Sequence, residues 1–84
     1  MPEEELGIIS HWFGHLSVAA IKVTSGVLRV GDTIHIKGHT TDVTIKVQTI
    51  QLNHQDVQEA PVGSDVGIKV AEHVRQHDKV YKVT

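Results

Sequence analysis

The chain has 84 residues, 39% of them hydrophobic but only 4% aromatic, with eight basic residues, ten acidic ones and no cysteine. A formal charge of -2 argues against a domain that lives chiefly by non-specific phosphate binding, and the missing cysteines exclude a disulfide framework and thiolate metal sites. A chain this short holds one domain that buries about 60–65% of its unfolded surface, and no apolar run approaches the roughly 20 residues of a membrane-spanning helix.

In chain order, residues 1–5 read as a disordered lead-in and residues 6–84 as the single domain. The acidic start is the opposite of a signal peptide's basic region, and with the lack of cysteine it points to the cytoplasm. A first strand is predicted over residues 6–13, turning at Gly14 and His15 into a second over residues 16–23. In the second, Leu16 and Val18 share one parity and Ile21 and Val23 the other, which places a bulge at Ala19 and Ala20. The reversals at Gly26 and Gly31 call for a residue free to take positive φ, and Asp32 can bond the backbone of its own turn. Ile34 and Ile36 alternate with Thr33, His35 and Lys37, the period of a half-buried third strand over residues 33–38. A fourth, over residues 42–54, changes parity between Val47 and Ile50. Gly63 and Gly67 bracket the next turn, and a fifth strand over residues 66–70 and a sixth over residues 79–83 complete the set; residues 72–77 suit a short helical turn. Val and Ile supply the core, and two parity switches are what a small closed barrel needs at its corners. The fold class is therefore all-β, a closed six-stranded barrel.

Six segments in register carry a family resemblance: S-V-A-A-I-K-V-T-S-G at residues 17–26, G-V-L-R-V-G-D at 26–32, V-Q-T-I-Q-L-N-H at 47–54, E-A at 59–60, G-S-D-V-G at 63–67 and V-R-Q-H-D-K-V at 74–80. The chain resembles the second domain of the translation elongation factors, the barrel that follows the GTPase domain in elongation factor Tu and its archaeal and eukaryotic counterparts. The match extends from about residue 7 to residue 83. The resemblance implies contacts with the acceptor end of tRNA and with a GTPase domain. At the strand position where the family carries an acidic residue associated with the terminal adenosine, this chain has Gln51, whose neutral amide lacks the charge-assisted acceptor. No G-x-x-x-x-G-K-[ST] loop is present, so no GTP binding and no other cofactor are expected.

Two surfaces suit binding of RNA or of a protein partner. Trp12 and Phe13, adjacent on a strand, cannot both point inward and could stack on bases or dock a protein. Lys22, Lys37 and Lys46 share outward parity and are expected to form a basic stripe on neighbouring strands. Seven histidines include three pairs spaced by four, His11 with His15, His35 with His39 and His73 with His77, but along a strand four residues span about 13 Å, too far for two ligands of one ion, so no metal site is assigned. Asp32 and Asp78 suit turns better than acid/base chemistry, and no serine sits in a nucleophile elbow, so no catalytic residue is assigned.

The leading expectation is a non-enzymatic, stand-alone elongation-factor-like barrel that binds tRNA, rRNA or a translation-related protein through Trp12, Phe13, Lys22, Lys37, Lys46 and Gln51. A similar barrel ends some collagenase-like peptidases linked to RNA modification, which gives a second reading as a detached accessory domain of a separate enzyme. A histidine-based metal module is a third.

Overall fold

A computed structural model describes residues 3–83. The described chain is all-β, with ten strand segments: β1 (Glu3–Phe13), β2 (Val18–Val23), β3 (Leu28–Arg29), β4 (Thr33–Lys37), β5 (Asp42–Lys46), β6 (Ile50–Leu52), β7 (Gln55–Val57), β8 (Glu59–Ala60), β9 (Asp65–Lys69) and β10 (Lys79–Val83). Eight of them form one antiparallel sheet in the order β5-β4-β10-β1-β2-β9-β6-β7, and β3 pairs with β8. The six expected strands become ten for two reasons. The segments β3, β7 and β8 are only two or three residues long, too short for alternation to mark them. The long fourth strand breaks at residues 47–49, and its halves lie far apart in the sheet order, β5 at one end beside β4 and β6 near the other beside β9.

The core is aliphatic. Ala19, Ile21 and Val23 of β2, Ile34 and Ile36 of β4, Val66 and Ile68 of β9 and Val80 of β10 all turn inward, joined by Leu6, Ile9, Leu28, Val47 and Ile50. β2 keeps one parity throughout, so the expected bulge at Ala19 and Ala20 is absent; the irregularities fall in β1, one at Leu6 against β10 and one where Ile9 faces Ile21 and His11 faces Ala20, leaving Ser10 as the extra residue. Its Oγ lies 3.2 Å from the Ala20 carbonyl oxygen and 3.2 Å from Asp65 Oδ1. Small Ala19 and Ala20 mimic a parity switch, but the strand that must bend is the longest one, which pairs with β10 and β2 in turn. The extra residue sets the two aromatics: Trp12 packs against the core and Phe13 faces solvent.

Residues 3–5, expected in the lead-in, are the first three of β1, with Glu3 opposite Val83; residues 1 and 2 lie outside the described part. Residues 72–77 form no helix but a bend and a turn. No helix among the described residues is long and apolar enough to cross a membrane.

Candidate functional site

The outer face of β2 and β9 carries the small residues Val18, Ala20 and Gly67. Val18 and Ala20 are half-buried there, and Ala20 stands opposite Gly67 of β9, which in turn pairs with Gln51 of β6. A Cβ at Gly67 would stand 3.3 Å from Val18 Cγ1, so its absence deepens the surface at this point. Two depressions meet along this line and share Val18, Gln51 and Gly67. One, of about 480 Å³, is walled by Leu16, Thr49, Asp56 and Lys69, and the other, of about 290 Å³, by Phe13, Asn53, His54 and Asp65.

Phe13 and Leu16, on and after the end of β1, are two of the three large apolar side chains left exposed among the described residues, at 38% and 56%. They border an apolar floor, a combination suited to holding an aliphatic or aromatic side chain. The opposite wall is the β6–β7 hairpin, closed by the two-residue loop Asn53-His54 with φ of 53° and 65°. Positive φ at both loop residues is the type I′ geometry that matches strand twist. Gln51 Nε2 donates to Asp56 Oδ1 of its cross-strand partner at 3.4 Å, which orients the amide along the trough.

Trp12 lies elsewhere. Its ring meets His73 edge-on at 5.7 Å, and its buried Nε1 has no acceptor among the described residues, so the two adjacent aromatics do not make one platform. Phe13 instead tilts against His11 with ring centroids 4.5 Å apart.

The expected lysine stripe does not form. Lys22 on β2 faces Ile8 and Asp65, while Lys37 on β4 is three strands away, roughly 14 Å at sheet spacing. Lys37 and Lys46 stand at opposite ends of the β4–β5 ladder, opposite Asp42 and Thr33. Equal outward parity did not make them neighbours, because the sheet inserts β10 and β1 between β4 and β2.

Gly26, Gly31 and Gly63 adopt φ of 74°, 97° and 91°. Gly67 is no turn residue: it sits inside β9, paired on both sides. Asp32 Oδ2 accepts the Arg29 backbone N–H at 2.9 Å, and Asp78 repeats the arrangement on Arg75 at 2.9 Å. Both carboxylates hold turns.

Among the described residues, His35 is the histidine with side-chain hydrogen bonds to carboxylates. Its Nδ1 meets Glu3 Oε2 at 2.7 Å and its Nε2 meets Asp42 Oδ1 at 2.5 Å. These hydrogen bonds, Asp42 first and Glu3 second, hold its pKa above the ordinary value. No group of three or more His, Cys, Asp or Glu that could hold a metal ion occurs among the described residues.

Comparison with known proteins points the chain away from translation. The family described as elongation factor Tu domain 2 matches residues 17–80. A collagenase from Porphyromonas gingivalis is 43% identical over 72 residues, 84% of this chain and 20% of that protein. An uncharacterized protease from Methanocaldococcus jannaschii is 41% identical over 78 residues, 92% of this chain and 19% of that protein. The chain thus spans about one-fifth of the length of these relatives. In structure it is similar to the C-terminal domain of a Geobacillus thermoleovorans protein assigned to the U32 peptidases, with a TM-score of 0.89 at 17% identity over 96% of this chain and 93% of that one. A selenomethionine variant of that domain gives 0.85 at 16% identity, over 92% and 96%. These findings overturn the expectation of a stand-alone translation factor with tRNA, rRNA or a translation-related protein as partner. Relatives above 40% identity are a collagenase and a protease, and the motifs behind the translation reading are turns and core positions, which specify the fold and not the partner.

Proposed function

This chain belongs to the elongation factor Tu domain 2 family, and from that premise we propose that it is a non-catalytic accessory barrel of a peptidase-like enzyme, docking through the trough at Val18, Gln51 and Gly67. The observation that carries the reading is the combination of peptidase relatives five times longer than the match with a trough floored by Val18, Ala20 and Gly67 and rimmed by exposed Phe13 and Leu16. A domain whose Asp32 and Asp78 hold turns and whose Asp56, in the trough wall, accepts from Gln51 is suited to positioning, not to bond cleavage.

In this reading the described strands, β1 from Glu3 onward included, curl into one barrel whose seam is the segment at residues 47–49: it joins β5 and β6, which stand at or near opposite ends of the sheet order, so the covalent chain itself links the two margins. That covalent link brings the margins round without pairing them, so β5 keeps an unpaired outer edge among the described residues. A cysteine-free sequence fits a reducing cytoplasm.

The test is a chimera in which this chain replaces the matching 72-residue segment of the Porphyromonas gingivalis collagenase. Collagen cleavage by the chimera is expected to exceed that of the segment-deleted enzyme, and Leu16→Asp together with Gly67→Leu is expected to abolish the gain while leaving the barrel's circular dichroism unchanged. Equal activity with and without the segment sinks the reading.

A further inference from the structure

The β5 strand ends the eight-stranded sheet and pairs only with β4. Its hydrogen-bonding parity follows from the two bonded pairs that bracket it: Val47 N–H donates to the Asp32 carbonyl at 2.8 Å, and Gly38 N–H donates to the Thr41 carbonyl at 2.8 Å. Antiparallel ladders alternate, so Val43 and Ile45 bond to Ile36 and Ile34, while Asp42, Thr44 and Lys46 turn their N–H and C=O groups away from β4. Those three residues have no backbone partner on the open side among the described residues. They present a row about 14 Å long, enough for four or five residues of an added strand.

Beyond the row lies a depression of about 330 Å³ lined by Ile45, Lys46, Gln48, Lys69 and Ala71. Neither Lys46 nor Lys69 joins an ion pair among the described residues, whereas Arg29, His35 and Lys82 each hold a carboxylate. In a chain of net charge -2 this rim is locally positive.

We propose that the open edge of β5 binds an extended acidic peptide segment by strand addition, with the main chain bonding to Asp42, Thr44 and Lys46 and a carboxylate side chain lying between Lys46 and Lys69. Main-chain pairing supplies affinity and the two ammonium groups select acidic over basic sequences. This surface shares Lys69 with the rim of the trough at Gly67, but its backbone row at Asp42, Thr44 and Lys46 lies outside that trough, and it stands or falls independently of the peptidase reading.

The experiment uses the full chain labelled with nitrogen-15 and an acetylated, amidated decapeptide of alternating Thr and Glu as probe. Amide shift changes and slowed hydrogen exchange are expected at Asp42, Thr44 and Lys46, with little change in exchange at Val43 and Ile45, which β4 already protects. The double change Lys46→Glu, Lys69→Glu is expected to weaken binding at least tenfold. Thr44→Pro removes one outward donor without touching the β4 ladder and is expected to abolish binding. If that variant misfolds, a probe N-methylated on alternate residues removes the same bonds from the peptide side. The proposal is overturned by no response at millimolar probe, by shifts centred on Val18, Gln51 and Gly67, by equal binding of the N-methylated probe or of a Thr-Lys peptide, or by shifts at β5 that depend on protein concentration alone and so report pairing of two copies.

Discussion

His35 on β4 and Asp42 on the adjoining β5 meet at 2.5 Å between Nε2 and Oδ1, while the other ring nitrogen of His35 faces Glu3 of β1 at 2.7 Å. Only the imidazolium donates from both nitrogens, so one protonated side chain ties together strands separated by β10. The Tyr81 ring of β10, 6.4 Å away, lies between them in the pairing.

This clamp makes stability depend on pH. The folded pKa of His35 is raised above the unfolded value of about 6.5, so its contribution is fully present below that value and is lost as pH rises through the folded pKa. Urea denaturation is expected to give higher stability at pH 5.5 than at pH 8.5, by about 0.5–1 kcal/mol for a partly exposed pair, and His35→Gln is expected to flatten this step. A step of the same size in the variant removes His35 as its source.

Two glycines are expected to fail for different reasons. A Cβ on Gly7 would fall on the Lys22 carbonyl oxygen, a backbone atom fixed in the β1–β2 ladder. At Gly31 nothing stands within 4 Å, but φ is 97°. Gly7→Ala is expected to cost about 3 kcal/mol or more through forced separation of the strands, and Gly31→Val about 1–3 kcal/mol through backbone strain alone. Chemical denaturation ranks the two; the reverse order contradicts the account.

Asp32 and Asp78 cap equivalent turns but differ in burial, Asp78 being 6% exposed and Asp32 half-buried beside Lys82 Nζ at 3.4 Å. Removing Asp78 leaves the Arg75 N–H without its acceptor at a part-buried turn. Asp78→Ala is expected to cost about 1–3 kcal/mol and Asp32→Ala about 1 kcal/mol. Thermal unfolding of the two variants measures the difference, and equal losses would show that burial of the cap is immaterial.

The β6–β7 loop offers a stabilising change. His54 holds φ of 65° at the second loop position, where glycine carries no steric penalty. His54→Gly is expected to raise stability by about 0.5–1 kcal/mol while removing one side chain from the trough wall. A lower melting temperature would mean that the imidazole makes a contact worth more than the strain.

The sequence by itself determined what depends on neighbours along the chain. Alternation at Ile34 and Ile36 marks β4 and its buried face, and the reversals at Gly26, Gly31 and Gly63 are legible because positive φ is a property of the residue and its turn. Six motifs in register were enough for the family, since turn and core positions are what such motifs encode. Tertiary structure decided everything that depends on which strands become neighbours. It set the bulge at Ser10 and not at Ala19, because the register between β1 and β2 is decided by which strands come to lie beside one another. It scattered Lys22, Lys37 and Lys46 by inserting β10 and β1 between their strands, and it turned Gly67 from an apparent turn residue into the floor of a trough by setting it between Ala20 and Gln51. Strand order is fixed by closing long loops around a shared core, a sum over the whole chain that no local pattern carries.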